Sequence, residues 1–355
     1  SDFTPPERRQ GFKYWRTLEC THNYNDSLYY GDTPEKKQWQ GYDAIEQTKD
    51  AQQYLQKHAQ SASDSPFALF LSWGPPHAPY HTAPEKYQKL YADKELTLRK
   101  NVPESSRKQA AKDYKGYYAH MTALDDCVGQ LMQTLEETGL ANNTIVVYTS
   151  DHGDMLHTRG AMKKQQPWDE SLRVPFLLRW PAKLKNQARE ISMPLDTPDI
   201  MPSLLGLANA TIPNDVEGID RSSVILGSKE PDTDHAALIT CPSPFGQWSR
   251  AHGGREYRGV RTTRYTYCRD LEGPWLLYDN ETDPYQLENL VDQTEHASLQ
   301  QRLNDRLNAL LKKTNDAFLP GPELIARSGY VVNPTSETVD YKIPFNPANI
   351  TKSPI

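Results

Sequence analysis

The chain has 355 residues, a net charge of −6 and an isoelectric point near 6.0, which suits one large α/β domain or one large and one small domain. No basic tract stands out, which disfavours a nucleic-acid-binding function, and no run approaches the roughly 18 apolar residues that a membrane span needs. Cys20, Cys127, Cys241 and Cys268 form no C-x-x-C pair, and we expect most of them to be reduced and structural.

The first half of the chain predicts two helices and a buried strand. Residues 1–40 show no periodicity and are expected to form a long surface segment rich in Tyr, Trp and Arg. Residues 41–59 carry apolar residues at helical spacing, and residues 114–135 continue that spacing through a long amphipathic helix that Gly139 ends. The apolar run "PFALFLSWG" at 66–74 is typical of a strand buried on both faces.

Further strands and one short helix follow. "TIVVYTSD" (144–151), "VPFLLRWP" (174–181) and "HAALITC" (235–241) predict strands, and "DTPDIMPSLLGLA" (196–208) predicts a helix. Strands that alternate with helices indicate an α/β fold with a mostly parallel central sheet flanked by helices. Sites in such sheets form outside the carboxyl ends of the strands.

The pattern changes after about residue 255. Short alternating strands precede a helix at 298–313 with one stripe of leucines, which predicts a smaller antiparallel sheet with one packed helix. We therefore expect a main α/β domain over 1–250, a C-terminal α+β subdomain over 251–318 and a Pro-rich tail wrapped on the surface over 319–355.

Polar side chains stand where the strand at 144–151 ends. Asp151 and His152 run into Gly153, where the backbone can turn and aim both side chains at one point. They are candidate metal ligands; the alternative is an Asp that caps the next loop beside a surface His. Lys164 follows, and an ammonium beside a metal suits a tetrahedral oxyanion. For the neighbouring Lys163 we favour a solvated charge.

A second candidate site residue follows the strand at 66–74. His77 lies in "GPPHAPY", where the flanking prolines restrict the backbone and hold the imidazole on a stiff loop. Such a mount suits a general acid; the alternative is a structural loop histidine. Because this loop and the Asp151 loop both follow predicted strands of one sheet, we expect them to converge.

Five sequence blocks, in order, resemble the type I, formylglycine-dependent sulfatases of the alkaline phosphatase superfamily. They are residues 66–87, 117–156, 163–181, 196–208 and 277–292. The resemblance covers about residues 40 to 315, is most similar to bacterial polysaccharide sulfatases, and implies an alkaline phosphatase-like fold with sulfate-ester hydrolysis as the activity.

The resemblance also implies roles for single residues. Asp151 and His152 would be two ligands of a calcium ion, although calcium prefers oxygen donors to a His nitrogen. His77 would contact the sulfate and protonate the leaving alcohol, and Lys164 would bridge the sulfate and the nucleophile. The family often has Gly-Ser-His-Gly where this chain has "HTRG" at 157–160, so His157 and Arg159 are expected to bear on substrate choice.

Other parts of the family's site have no counterpart in the sequence. The family makes its formylglycine from Cys or Ser in a C/S-x-P/A-x-R motif, holds the metal with two further acidic residues, and has a Lys…His pair after the nucleophile; none of these is present, and "CPSPF" at Cys241 lacks the Arg. We expect them on an N-terminal segment of the same protein, upstream of Ser1. That segment would supply a middle strand, whose loss would expose backbone groups and an apolar slot.

The substrate is predicted to be a sulfated poly- or oligosaccharide. Trp248, Arg250, His252 and Arg255 are candidates for sugar recognition, because aromatic faces pack on sugars and Arg pairs with sulfates; ordinary loop packing is the alternative. The resemblance implies a periplasmic or secreted location. Two other functions stay open at this point: a phosphate mono- or diester hydrolase on the same scaffold, and a non-catalytic carbohydrate-binding remnant.

Overall fold

A computed structural model describes residues 3–18, 21–61, 65–185, 188–335 and residue 339. The chain divides into two compact units that alternate along the sequence. The first unit comprises Ser1–Thr149, Leu156–Ala161 and Phe176–Lys185; the second comprises Ser150–Met155, Met162–Pro175 and Asn186–Ile355. The predicted boundaries near residues 250 and 318 stay predictions. Among the described residues, no helix is long and apolar enough to cross a membrane.

The described helices and strands have the following bounds. The α-helices are α1 (Asp43–Gln60), α2 (Glu85–Gln88), α3 (Arg107–Glu137), α4 (Asp169–Leu172), α5 (Pro181–Leu184), α6 (Thr197–Leu207), α7 (Ser222–Ile225), α8 (Ala297–Lys313) and α9 (Gly321–Arg327). The strands are β1 (Leu28–Tyr30), β2 (Lys36–Gln38), β3 (Val146–Thr149), β4 (Phe176–Arg179), β5 (Ala236–Cys241), β6 (Tyr257–Thr262), β7 (Tyr265–Arg269) and β8 (Pro274–Asp279).

The first unit is built on α1 and α3, both predicted from their spacing. The two helices approach closely because buried alanines, among them Ala44, Ala119 and Ala123, line their contact. Helix α3 begins at Arg107, seven residues earlier than predicted. Its first two turns hold good helix formers, and Ala110 packs with Val102 in a small separate cluster.

The sheet part of the first unit differs from the prediction. Strand β3 pairs antiparallel with β4, and the described strands form only antiparallel pairs. The strand predicted over 66–74 is wrong for this structure, because that run forms no ladder with any described strand. Its side chains still alternate: Phe67 and Leu69 pack beside Leu55, whereas Phe70 is 73% exposed. An apolar run becomes a strand only when a neighbour accepts its backbone hydrogen bonds.

The second unit contains the predicted small antiparallel sheet with its packed helix. Its order is β5-β6-β7-β8, and α8 lays Leu303, Leu307 and Leu311 against Val260 and Tyr267. The run at 235–241, predicted for the central sheet, instead forms the edge strand β5 of this sheet. A short apolar run indicates a buried strand without specifying which sheet receives it.

Three further features concern predictions made for the second unit and the cysteines. Helix α6 is confirmed, with the Asp196 side chain accepting a hydrogen bond from the Thr197 amide at its start. The predicted tail over 319–355 begins with α9, and its residues 336–338 and 340–355 lie outside the described part. Cys127, Cys241 and Cys268 are buried free thiols, as predicted; Cys20 is not described.

Candidate functional site

The loop that carries His77 orients one ring nitrogen through its own backbone. His77 is half-buried, and its Nδ1 lies 2.8 Å from the carbonyl oxygen of Ala78. A carbonyl only accepts hydrogen bonds, so Nδ1 carries the hydrogen. Nε2 is then the nitrogen that gains or loses a proton when the ring titrates, which is consistent with the predicted role of His77 as a general acid.

Helix α3 packs against the backbone of this loop. A Cβ on Gly116 would lie 2.3 Å from the backbone oxygen of Tyr80, so only glycine fits under the loop. Four residues on, the buried His120 ring places its Nε2 3.4 Å from the oxygen of Pro79 and accepts a 2.6 Å hydrogen bond from Tyr42 Oη at Nδ1. Burial lowers the pKa of His120 to about 4, so the ring is neutral near pH 7.

A segment near the N-terminus also contacts the His77 loop. Tyr24 Oη donates to the oxygen of Ala78 at 3.2 Å, and Asn25 Nδ2 donates to the oxygen of Thr82 at 3.0 Å. The His22 ring stacks on His77, with centroids 4.7 Å apart and planes 5° from parallel. Sequence reasoning missed these residues, because residues 1–40 carry no periodicity that would place them on another element.

Asp151 and His152, the predicted metal ligands, lie close to Lys164 in the second unit. His152 Nδ1 lies 2.7 Å from the oxygen of Gly153, and its Nε2 lies 2.7 Å from Lys164 Nζ and 3.4 Å from Asp151 Oδ2. The Gly153 amide donates to the oxygen of Ser171 at 2.9 Å, and a Cβ on Gly153 would lie 2.0 Å from the oxygen of Glu170, so this close approach of two backbone segments requires glycine. The glycine that follows Asp151 and His152 is therefore explained by this close backbone contact.

These residues fit part of a calcium site. The Asp151 side chain is 82% exposed and offers the hard oxygen donors that calcium prefers. The Nε2 lone pair of His152 faces Lys164 Nζ instead, and calcium needs about six to eight ligands. No group of three or more His, Cys, Asp or Glu side chains able to hold a metal occurs in the part of the chain that the structure describes. Asp151 therefore fits the ion, and a complete shell requires further donors.

His157 and Arg159, predicted to bear on substrate choice, lie in a loop with unusual backbone angles. Their φ angles are +69° and +55°, a region that costs free energy for residues other than glycine. The loop is held by a 2.7 Å contact between His157 Nε2 and Asp113 Oδ2, and by the Arg159 amide, which donates to the oxygen of Asn101. The contact with Asp113 favours an indirect, loop-orienting role for His157; the predicted role in substrate choice stays a prediction.

Trp248, a predicted sugar-binding residue, lies in the core. It is 7% exposed, its Nε1 donates to the oxygen of Arg255 at 3.0 Å, and its ring packs with Trp168 and Trp275. A buried ring presents no face to a sugar. For Trp248 the packing alternative is therefore the better interpretation.

The other three candidates of this loop reach the surface. Arg250 pairs with the buried Glu256 at 2.5 Å and remains 36% exposed. Arg255 pairs with Asp270 at 2.8 Å, is 45% exposed, and lies over an indole ring in the same cluster. His252 is exposed, with Nδ1 2.8 Å from a serine hydroxyl. Both arginine side chains are partly exposed, and the predicted roles of these three residues in sugar recognition stay predictions.

Two family models match the chain, and curated relatives match most of its length. The family model described as Sulfatase matches residues 2–210, and the model described as N-sulphoglucosamine sulphohydrolase, C-terminal, matches residues 158–313. An ulvan-active sulfatase of Formosa agariphila is 40% identical over 96% of this chain and 66% of its own length. An endo-4-O-sulfatase of Bacteroides thetaiotaomicron is 31% identical over 89% of this chain and 65% of its own length. The chain thus spans about two thirds of the length of these curated relatives.

Solved structures similar to this chain include two sulfatase-related proteins of Bacteroides. A putative sulfatase of Bacteroides fragilis has a TM-score of 0.80 at 27% identity, covering 89% of this chain and 69% of that one. A Bacteroides thetaiotaomicron protein from a study of glycosaminoglycan metabolism has a TM-score of 0.79 at 26% identity, covering 89% of this chain and 68% of that one. These likenesses confirm the predicted alkaline phosphatase-like fold. The chain belongs to the sulfatase family.

Proposed function

We propose that the protein hydrolyses sulfate esters of a poly- or oligosaccharide. The observation that carries the proposal is the convergence of Lys164 Nζ, His152 Nε2 and the exposed Asp151 carboxylate within hydrogen-bonding distances. An ammonium beside potential metal ligands suits a sulfate group, whose oxygens gain negative charge in the transition state. The membership of the sulfatase family supports the same chemistry.

Four residues of this chain have roles in the proposed reaction. Lys164 contacts the sulfate oxygens and offsets their charge, and His77 holds a proton at Nε2 for the leaving sugar oxygen. Asp151 would contribute an oxygen ligand to a calcium ion, and His152 would contribute Nε2 as a second ligand once that nitrogen is released from Lys164 Nζ. The calcium ion and a formylglycine, which the family resemblance implies, would supply polarisation of the sulfate and the nucleophile.

We propose that the nucleophile and the remaining metal ligands belong to a further segment of the same protein. Two strongly exposed apolar side chains of the first unit support this: Phe70 is 73% exposed and Leu177 on β4 is 63% exposed. Exposed apolar side chains mark contact surfaces, and burying each contributes about 1.5–3 kcal/mol. A further segment that packs on either side chain would bury it.

The proposed substrate class is a sulfated polysaccharide or its oligosaccharides. The relative that is 40% identical is described as ulvan-active, so ulvan is the first substrate to test. Arg250, His252 and Arg255 are candidates for contacting further sulfate groups, and Arg159 for shaping the site. Such polymers lie outside the cytoplasm, which supports a periplasmic or secreted location.

Sulfate release from ulvan and from glycosaminoglycan oligosaccharides by the complete protein tests the proposal. We expect His77→Ala and Asp151→Asn to lower kcat about a hundredfold or more, with His58→Ala as a control for replacing a histidine of the first unit. Full activity in both variants would show that the assigned roles are wrong. Phosphate release from matched phosphate esters, without sulfate release, would favour the phosphate ester hydrolase instead.

A further inference from the structure

Residues 22–25, called here the clasp, run along the loop of His77 and contact it at three successive points. The contacts are the ring stack of His22 on His77, the hydrogen bond from Tyr24 to Ala78 and the hydrogen bond from Asn25 to Thr82. A single contact between two surface loops would carry little meaning. Three contacts in the same order along both segments show that the clasp packs along the loop.

The clasp is itself anchored to the core of the first unit. Tyr24 is 1% exposed, and its ring packs so tightly on Gly74 that a Cβ there would lie 2.5 Å from Tyr24 Cε1. Its backbone oxygen accepts a hydrogen bond from the Asp43 amide at the start of α1, at 2.9 Å. His22 therefore follows the position of a buried, hydrogen-bonded neighbour two residues away.

The stack limits the rotation of the His77 ring about its Cβ–Cγ bond. The torsion that turns an imidazole ring about its Cβ–Cγ bond has a broad energy profile. The 2.8 Å contact of His77 Nδ1 with Ala78 restrains one point of the ring, and the parallel His22 ring covers one face of it. Both contacts restrain the plane of the His77 ring and hence the direction of Nε2.

We propose that His22 is a positioning residue for His77, holding the ring plane in which Nε2 meets the leaving oxygen of the sulfate ester. This inference rests on the proposed function, because it assumes that His77 donates the proton. A catalytic group displaced by about 1 Å loses on the order of a hundredfold in rate, so control of the ring plane has a measurable effect.

The proposal predicts a dependence on the leaving group. A sugar oxygen leaves as a strongly basic alkoxide and needs the proton, whereas p-nitrophenolate leaves readily without it. Loss of His22 should therefore slow the release of a sugar more than the release of p-nitrophenol. A general disturbance of the fold, or of the sulfate-binding groups, would slow both alike.

The test compares His22→Ala, His22→Phe and the control His58→Ala in the complete protein. His58 also stacks on a ring of the first unit, that of Tyr54. On ulvan oligosaccharides we expect His22→Ala to lower kcat about tenfold to a hundredfold with KM nearly unchanged, and His22→Phe, which keeps a flat ring, to recover most of the loss. On p-nitrophenyl sulfate all three variants should resemble the unmodified protein.

Equal losses on both substrates, no loss in His22→Ala, or a loss in His22→Phe as large as in His22→Ala would overturn the positioning role. NMR of the protein with isotope-labelled histidines, assigned with His77→Gln, gives a readout without turnover. We expect His22→Ala to shift and broaden the ring signals of His77, because the ring then moves between orientations. Unchanged signals would refute the stack. If the unmodified protein released no sulfate from either substrate, the proposed function would fail while the NMR result still decided the stack.

Discussion

Replacing Gly116 by alanine tests whether α3 sets the height of the loop that carries His77. The new Cβ would lie 2.3 Å from the backbone oxygen of Tyr80 and 2.7 Å from its carbonyl carbon. Ordinary van der Waals contact begins at 3.4 Å, so the loop and the helix must separate by 3.4 − 2.3, or about 1.1 Å. The obstacle is backbone, which has no side-chain rotamer through which to move away.

The size of that displacement gives the expected effects. Overpacking costs about 1–3 kcal/mol, and the better helix propensity of alanine returns about 0.5–1 kcal/mol, so we expect a net loss of about 1–2 kcal/mol in the free energy of unfolding. A shift of about 1 Å in the mount of His77 should lower kcat for sulfate release on the order of a hundredfold.

Urea unfolding and sulfate release measure the two effects, and α3 supplies its own control. An added Cβ on Gly129 meets nothing within 4 Å, so Gly129→Ala should gain about 0.5–1 kcal/mol through helix propensity and keep its activity. If Gly116→Ala matched Gly129→Ala in both stability and kcat, the support of the loop by α3 would be refuted.

Three further predictions concern a cation, a buried histidine and an ion pair. Lys164→Met should lower kcat for sulfate release by about 10²–10³, because it removes the ammonium 2.7 Å from His152, and steady-state kinetics would show it. Burial lowers the pKa of His120 from 6.5 to about 4, so the unfolded chain binds the extra proton in this window and stability should fall by up to about 3 kcal/mol as pH drops through it; His120→Gln should flatten that part of the pH profile of urea unfolding. Arg258→Met should destabilise by about 3–5 kcal/mol in thermal unfolding, because it leaves the paired Asp316 carboxylate without its cation, and adding Asp316→Asn should recover part of the loss.

The sequence by itself determined the features that depend on local spacing. Helices α1, α3, α6 and α8 follow from apolar residues that recur every three or four positions, a period that an isolated stretch of chain already displays. The closeness of Asp151, His152 and Lys164 also has a signal in the sequence, because Lys164 follows Asp151 by only thirteen positions.

Tertiary structure alone decided what covers each element. The apolar runs at 66–74 and 235–241 both predict a buried strand. The first pairs with no described strand and exposes Phe70, whereas the second pairs with β6, because chain segments outside each run decide which strand lies beside it. The sequence made Trp248 a candidate for binding a sugar. Its burial beside Trp275 depends on strand β8, and no local sequence pattern connects β8 to Trp248.

The support of His77 shows the same limit most clearly. The flanking prolines predicted the stiff loop of His77. His22, Tyr24 and Gly116, which contact this loop, lie about forty to fifty-five residues away along the chain. Hydrogen bonds, ring stacks and close backbone contacts at that separation leave no period in the sequence, because they depend on how whole elements pack. The sequence therefore indicated His77 as a candidate general acid, and it did not indicate the residues that we propose to position it.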